Sequence, residues 1–246
     1  ATDAFADFDL TPDGRYLYAS DFGGESAGAP VRPSWVQRYD ISARQWEVKR
    51  APLIAHGLEA VDKDRFLLLE SDQTAELTLN HFGATADAPI AELSRVSDLL
   101  SLGNMELDHR TGLVFHGDTA FEPKKVSVIK VEGNALQPQY QTQPFTQTTG
   151  NPAITLSPDG KHLFYDGRLL SPADARQVLR VFPGGVHAST AGLVFGGFNI
   201  LSAETGEAVG SMEHPGSRHF ASDDGLYLIT HGTTVNQNFF FYQVRP

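Results

Sequence analysis

Ser157-Pro158-Asp159-Gly160-Lys161-His162-Leu163-Phe164-Tyr165 is a tight turn that runs straight into an apolar strand. Proline presets φ at the first corner, aspartate bonds back to the backbone, and glycine takes the positive φ that closes the turn. The strand that follows is apolar at nearly every position, as a strand covered on both faces is. The same phrase recurs along the chain. Thr11-Pro12-Asp13-Gly14 leads into Tyr16-Leu17-Tyr18, Lys63-Asp64 into Phe66-Leu67-Leu68, and Arg110-Thr111-Gly112 into Leu113-Val114-Phe115. Thr190-Ala191-Gly192 leads into Leu193-Val194-Phe195, and Asp223-Asp224-Gly225 into Leu226-Tyr227-Leu228. The mean spacing of about 40 residues is that of a repeat built from one small antiparallel sheet.

A second phrase follows the first. Val36–Ile41 turns through Ser42-Ala43-Arg44 into Gln45–Val48, Val126–Val131 turns at Gly133-Asn134, and Asn199–Leu201 turns through Glu204-Thr205-Gly206. These read as outer hairpins. With its turn-plus-strand phrase and its Glu204-Thr205-Gly206-Glu207 hairpin, nearly the whole chain resembles the YVTN and WD40-like β-propellers, although no Trp-Asp dipeptide is present. The resemblance implies an all-β propeller of about six four-stranded blades, with seven still open. As a single domain over 1–246, its blades fall near 1–53, 54–97, 98–149, 150–184, 185–214 and 215–246. Leu93, Val96, Leu99 and Leu100 are spaced as on a helix and predict one or two helical turns between residues 91 and 102. Gln137–Thr149, rich in Gln, Thr and Pro, predicts an edge strand followed by a loop between blades. Ala1–Phe5 is expected to add to the last blade beside Phe239–Gln243 and close the ring.

Composition narrows the function classes. The 246 residues carry 19 Lys plus Arg against 30 Asp plus Glu, a formal charge of -11, and no cysteine. An acidic surface repels phosphate backbones, which argues against nucleic acid as a partner. Disulfides, thiolate metal sites and cysteine nucleophiles are excluded. No apolar run approaches the roughly 18 residues of a membrane-spanning helix. The expected setting is periplasmic or secreted, with Ala1-Thr2-Asp3-Ala4 the start of a mature form. The length also leaves room for a chain that is one piece of a larger assembly.

In a propeller the first strand of each blade lines the channel, and the loop after the second strand opens on the same face. That geometry nominates His56, Glu59, Asn104, Glu106, Asn151, His187, Arg218 and His219 as ligand-binding residues. It adds Asp21, Asp72, Asp118, Asp166 and His231 from the loops. Oxygen-rich groups suit Ca²⁺ or Mg²⁺, and imidazole would admit Zn²⁺ or Mn²⁺. Gly150-Asn151-Pro152 ahead of the Ser157 turn is similar to the Asn-bearing strand of the gluconolactonase and regucalcin family. That resemblance implies a divalent cation, such as Ca²⁺, held by Glu59, Asn104 and Asn151, although His187 stands where the family carries an Asp. Gly24-Glu25-Ser26-Ala27-Gly28 has the spacing of a nucleophile elbow, but Pro30 and Pro33 forbid the helix that the chemistry requires. His109 and His116 are too far apart for a helical metal pair and read as turn or surface residues. Trp35, Trp46 and Phe239–Tyr242 read as ring platforms or as filling between blades. Two functions remain. One is a binding scaffold that docks a protein or extracellular polymer on its loop-rich face. The alternative is a metal-assisted lactonase or hydrolase.

Overall fold

The computed structural model describes residues 5–21, 34–51, 54–71, 75–85, 87–99, 103–118, 124–145, 154–157, 159–182, 188–190, 192–196, 198–212, 218–221, 227–231 and 239–243. Asp72, Asn151, His187, Leu226, Gly24–Gly28 and Ala1–Ala4, all singled out above, lie outside them. Among the described residues every regular element is a strand. The first sheet is β1 (Phe5–Leu10), β2 (Tyr16–Asp21), β3 (Trp35–Asp40) and β4 (Gln45–Arg50). The second is β5 (Ile54–Ala60), β6 (Arg65–Ser71), β7 (Ala75–His81) and β8 (Ala91–Leu99), and the third β9 (Gly103–Asp108), β10 (Leu113–Asp118), β11 (Val126–Glu132) and β12 (Ala135–Gln141). The fourth is β13 (Ile154–Leu156), β14 (Leu163–Tyr165), β15 (Arg168–Ser171) and β16 (Asp174–Val181), and the fifth β17 (Ala188–Thr190), β18 (Leu193–Gly196), β19 (Asn199–Ser202) and β20 (Ala208–Ser211). The sixth has β21 (Arg218–Ala221), β22 (Tyr227–His231) and β23 (Phe239–Gln243). In every sheet the strands neighbour one another in chain order.

Two compact units divide the chain, one of Ala1–Phe115 with Ser127–Tyr140 and the other of His116–Val126 with Gln141–Pro246. In the first, Tyr18, Val36, Leu58, Phe66, Leu68 and Phe82 fill the space between the first two sheets. Leu67, Leu77, Leu79, Met105, Val114 and Ile129 do the same between the second and third. In the other unit Phe164, Leu169, Phe182, Val194 and Leu201 pack the fourth sheet on the fifth. Phe66 and Leu68 face one neighbour while Leu67 and Leu69 face the other, because successive side chains on a strand point to opposite faces.

The repeated turn is built by side chains. Ser157 N–H donates to His162 O (2.8 Å), His162 N–H to Ser157 Oγ (2.9 Å) and Gly160 N–H to Ser157 O (2.7 Å). Ser157 Oγ–H donates to Asp159 Oδ1 (2.7 Å), which also accepts Lys161 N–H. These hydrogen bonds and the Lys161 ammonium hold the Asp159 carboxyl down at about 2, against the pull of burial. Thr11 and Asp13 repeat the network bond for bond around Gly14.

Three expectations need correction. Residues 91–99 form strand β8, not helical turns. Its pairing with β7 is interrupted at Ala75/Leu77 and Leu79/Asn80, and such bulges insert one residue and re-aim the side chains after it. Leu93, Val96 and Leu99 therefore reach one core at a spacing of three. Phe5, expected with Ala1–Ala4 on the last blade, instead opens β1 opposite Asp21 in the first sheet. His116 is buried on β10 and is not a surface residue. Pro138 falls on β12, the outermost strand of its sheet, as an edge strand permits.

Arginines pin the first sheet to the second, the second to the third and the fourth to the fifth at the turns. Arg38 donates to Lys63 O (2.7 Å), Arg65 to Gly133 O, and Arg180 to Thr205 O (2.8 Å) and Glu204 O. Lys49 enters a cage of carbonyls, donating to Thr85 O and Ala88 O at 2.7 Å over the Phe82 ring. Burial lowers the pKa of that ammonium.

Candidate functional site

Strand β1 reads Phe5-Ala6-Asp7-Phe8-Asp9-Leu10, so period two puts Asp7 and Asp9 on one face and Phe8 and Leu10 on the other. β5 is the first strand of its sheet, and the N–H groups along its free edge need acceptors. The two aspartates supply them. Leu58 N–H donates to Asp7 Oδ2 (3.0 Å) and Ala60 N–H donates to Asp9 Oδ2 (2.9 Å). The other oxygen of each carboxylate accepts the next N–H of β1, from Phe8 (2.9 Å) and Leu10 (2.7 Å).

Glu59, on β5 between those two N–H donors, meets Asp9 carboxyl to carboxyl. Burial pushes Glu59 well above the usual carboxylate range, and the charges of Asp9, Glu106 and Asp7 push it further. Burial raises Asp9 too, but the N–H groups of Ala60 and Leu10 and the imidazole of His109 oppose it. Both carboxyls of this pair are raised, Glu59 well above its ordinary value. His109 and His56 are both lowered by burial, which the charges of Asp9 and Asp108 oppose at His109. The result is a close pair of carboxyls in which burial and neighbouring like charge favour the neutral form of Glu59.

The strands separate the nominated residues into two levels. Glu59 and Glu106 lie toward the ends of β5 and β9, and the charge of Glu106 acts on Glu59. His56 and Asn104 lie toward the starts of the same strands, with Asn104 exposed. Arg218 and His219 open β21. Among the described residues no three His, Asp or Glu side chains are grouped to hold a metal ion. Of the three expected ligands, Glu59 is engaged by Asp9 and Asn104 stands exposed, so the lactonase expectation draws no support from them.

The aspartates at the ends of the second strands are anchors. Asp21 is buried and accepts Trp35 N–H (2.5 Å). Asp118 is buried, and its carbonyl accepts Tyr165 O–H (2.5 Å). Asp166 is fully buried at φ 50°, bound by Arg168 Nη1 at 2.7 Å with Lys124 at 3.9 Å. Arg168 also lies over the Phe145 ring, 4.9 Å from its centre. Sequence reasoning missed Asp7, Asp9, Lys124 and Arg168. The Asp-x-Asp alternation in β1 is the signal that would have found the first two.

Similar folds are found among solved structures. One chain from the Mitotic Checkpoint Complex superposes with a TM-score of 0.72 at 12% identity, covering 100% of this chain and 76% of that one. The β-propeller domain of Myceliophteria thermophila Cps50 (Swd1) gives 0.64 at 12% identity, with 98% and 84% covered. This is a β-propeller fold. A functionally unknown protein from Desulfotomaculum acetoxidans superposes on the propeller at 0.68 and 10% identity, covering 99% of this chain and 84% of its own. No family model matches the sequence, and no curated protein matches it. At these identities the likeness carries the fold alone, and function has to come from the surface of the chain.

Proposed function

We propose that this propeller is a docking module that holds a protein partner against the outward face of its first sheet. One observation carries the reading. The pairings Phe8↔Ala19, Leu10↔Leu17, Leu17↔Tyr39 and Tyr39↔Trp46 put these side chains on one face, opposite the face that packs on the second sheet. There Phe8 is 59%, Leu10 43%, Trp46 50% and Val48 51% exposed. Trp46 tilts against Tyr39 with ring centres 4.7 Å apart. Contiguous apolar exposure of this kind marks interaction sites, and Trp and Tyr dominate the energetics of protein interfaces.

The similar structure from the Mitotic Checkpoint Complex supports the idea of a propeller at work within an assembly. The repeated turn and strand phrase supports placing the blades with the YVTN type. The extracytoplasmic setting belongs to the same proposal, and cell fractionation reads it out.

The test compares the tagged chain with Trp46→Glu, both purified from native cells. A stoichiometric partner that Trp46→Glu loses, at unchanged melting temperature, is the expected result. A variant that keeps every partner, or a chain that turns over lactones, would overturn the proposal.

A further inference from the structure

We propose that the cleft between the fourth and fifth sheets binds a monocarboxylate bearing a short apolar chain. Both sheets belong to the same compact unit. The cleft encloses about 410 Å³, within the range of small-molecule sites. Its floor is apolar, formed by the buried Leu169 and Ala203, and Leu179 stands at its lip, 55% exposed.

The polar groups favour an anion. Arg180 is held in place by the carbonyls of Thr205 and Glu204, so its guanidinium is set before any ligand arrives. Gly206 makes that possible, since a Cβ there would come within 3.3 Å of Arg180 Cδ and Nη1. Lys161 adds a second cation to the lining. His162 also lines the cleft. Glu204 lines the same cleft and Asp159 pairs with Lys161 at 3.0 Å, so a second negative charge on the ligand would meet repulsion. One carboxylate, with an alkyl chain on Leu169 and Ala203, matches this set.

The test is a methyl-detected NMR titration of the full chain with hexanoate, hexanol and hexylamine. A peptide ending in a leucine carboxylate forms a further arm. Saturable shifts at Leu169, Leu179 and Ala203 with hexanoate are expected, with hexanol and hexylamine at least about tenfold weaker. Tighter binding of the peptide than of hexanoate would assign the carboxylate to a chain terminus, and the reverse to a free acid; either outcome supports the site. Leu179→Asp, at an exposed position, should keep the melting temperature and weaken hexanoate about tenfold. Equal shifts with hexanol, no saturation, or undiminished binding by Leu179→Asp would each overturn the proposal.

Discussion

Gly117→Ala puts the packing of the third and fourth sheets to a direct test. Gly117 lies on β10, and a Cβ built there would stand 2.5 Å from Tyr165 Cε2, 2.7 Å from Cδ2 and 3.2 Å from Ile154 Cβ. The ring must move by about 1 Å to restore ordinary contact near 3.5–4 Å. It has nowhere to go cheaply, because the phenol donates to Asp118 O at 2.5 Å and Tyr165 is fully buried. Overpacking costs about 1–3 kcal/mol, and a strained or lost hydrogen bond about 0.5–1.5 kcal/mol. The sum is a loss of about 1.5–4.5 kcal/mol. The opposing effect has the other sign. Gly117 is not in the left-handed region, so alanine is conformationally allowed, and Gly→Ala at an allowed site stabilises by about 0.4–1 kcal/mol through the unfolded chain. Urea unfolding of Gly117→Ala therefore distinguishes the two by sign alone. Tyr165→Leu, which removes the ring from above the glycine, should erase most of the cost of the alanine in a double-mutant cycle. A Gly117→Ala protein as stable as the parent, or a cost that survives Tyr165→Leu, would refute this account of the contact.

Three further outcomes follow from the structure. Because the Glu59 carboxyl is raised above its unfolded value, the stability it contributes is complete below the ordinary carboxylate range and is lost as pH rises through its folded pKa; urea melts across pH should show Glu59→Gln gaining on the parent over that interval. Lys49→Met should cost about 2 kcal/mol in urea unfolding, since it strips charged hydrogen bonds from Thr85 O and Ala88 O, and an unchanged midpoint would mean that the carbonyl cage is not a clamp. Phe164→Ala, in the core between the fourth and fifth sheets, should cost about 3–5 kcal/mol by the same assay.

What the sequence discloses and what it hides follow from the range of each interaction. The Thr11 and Ser157 turns close within six residues through their own side chains, so their residue types state their geometry. That is why the blade repeat was legible, and with it the four-stranded pattern of five sheets. β8 was misread because bulges break the parity on which pattern reading depends, and bulges are set by the partner strand. The arginine clips were invisible for another reason. Arg38, Arg65 and Arg180 end on main-chain carbonyls, and every residue offers one.

The carboxyl group on the first strands shows both regimes at once. Glu59 and Glu106 could be nominated because they are polar residues on first strands, a local property. Asp7 and Asp9 show in the sequence only as an Asp-x-Asp alternation, because their meaning lies in N–H groups 51 residues away. Those N–H groups explain why acids occupy this place at all. A first strand leaves alternate N–H groups without a neighbouring strand, and a carboxylate satisfies such a donor more strongly than a neutral acceptor does. Two aspartates laid along β5 bring negative charge beside Glu59, which adds to burial in raising its carboxyl. Part of the upward shift of Glu59 is thus a consequence of how the second sheet's edge is capped.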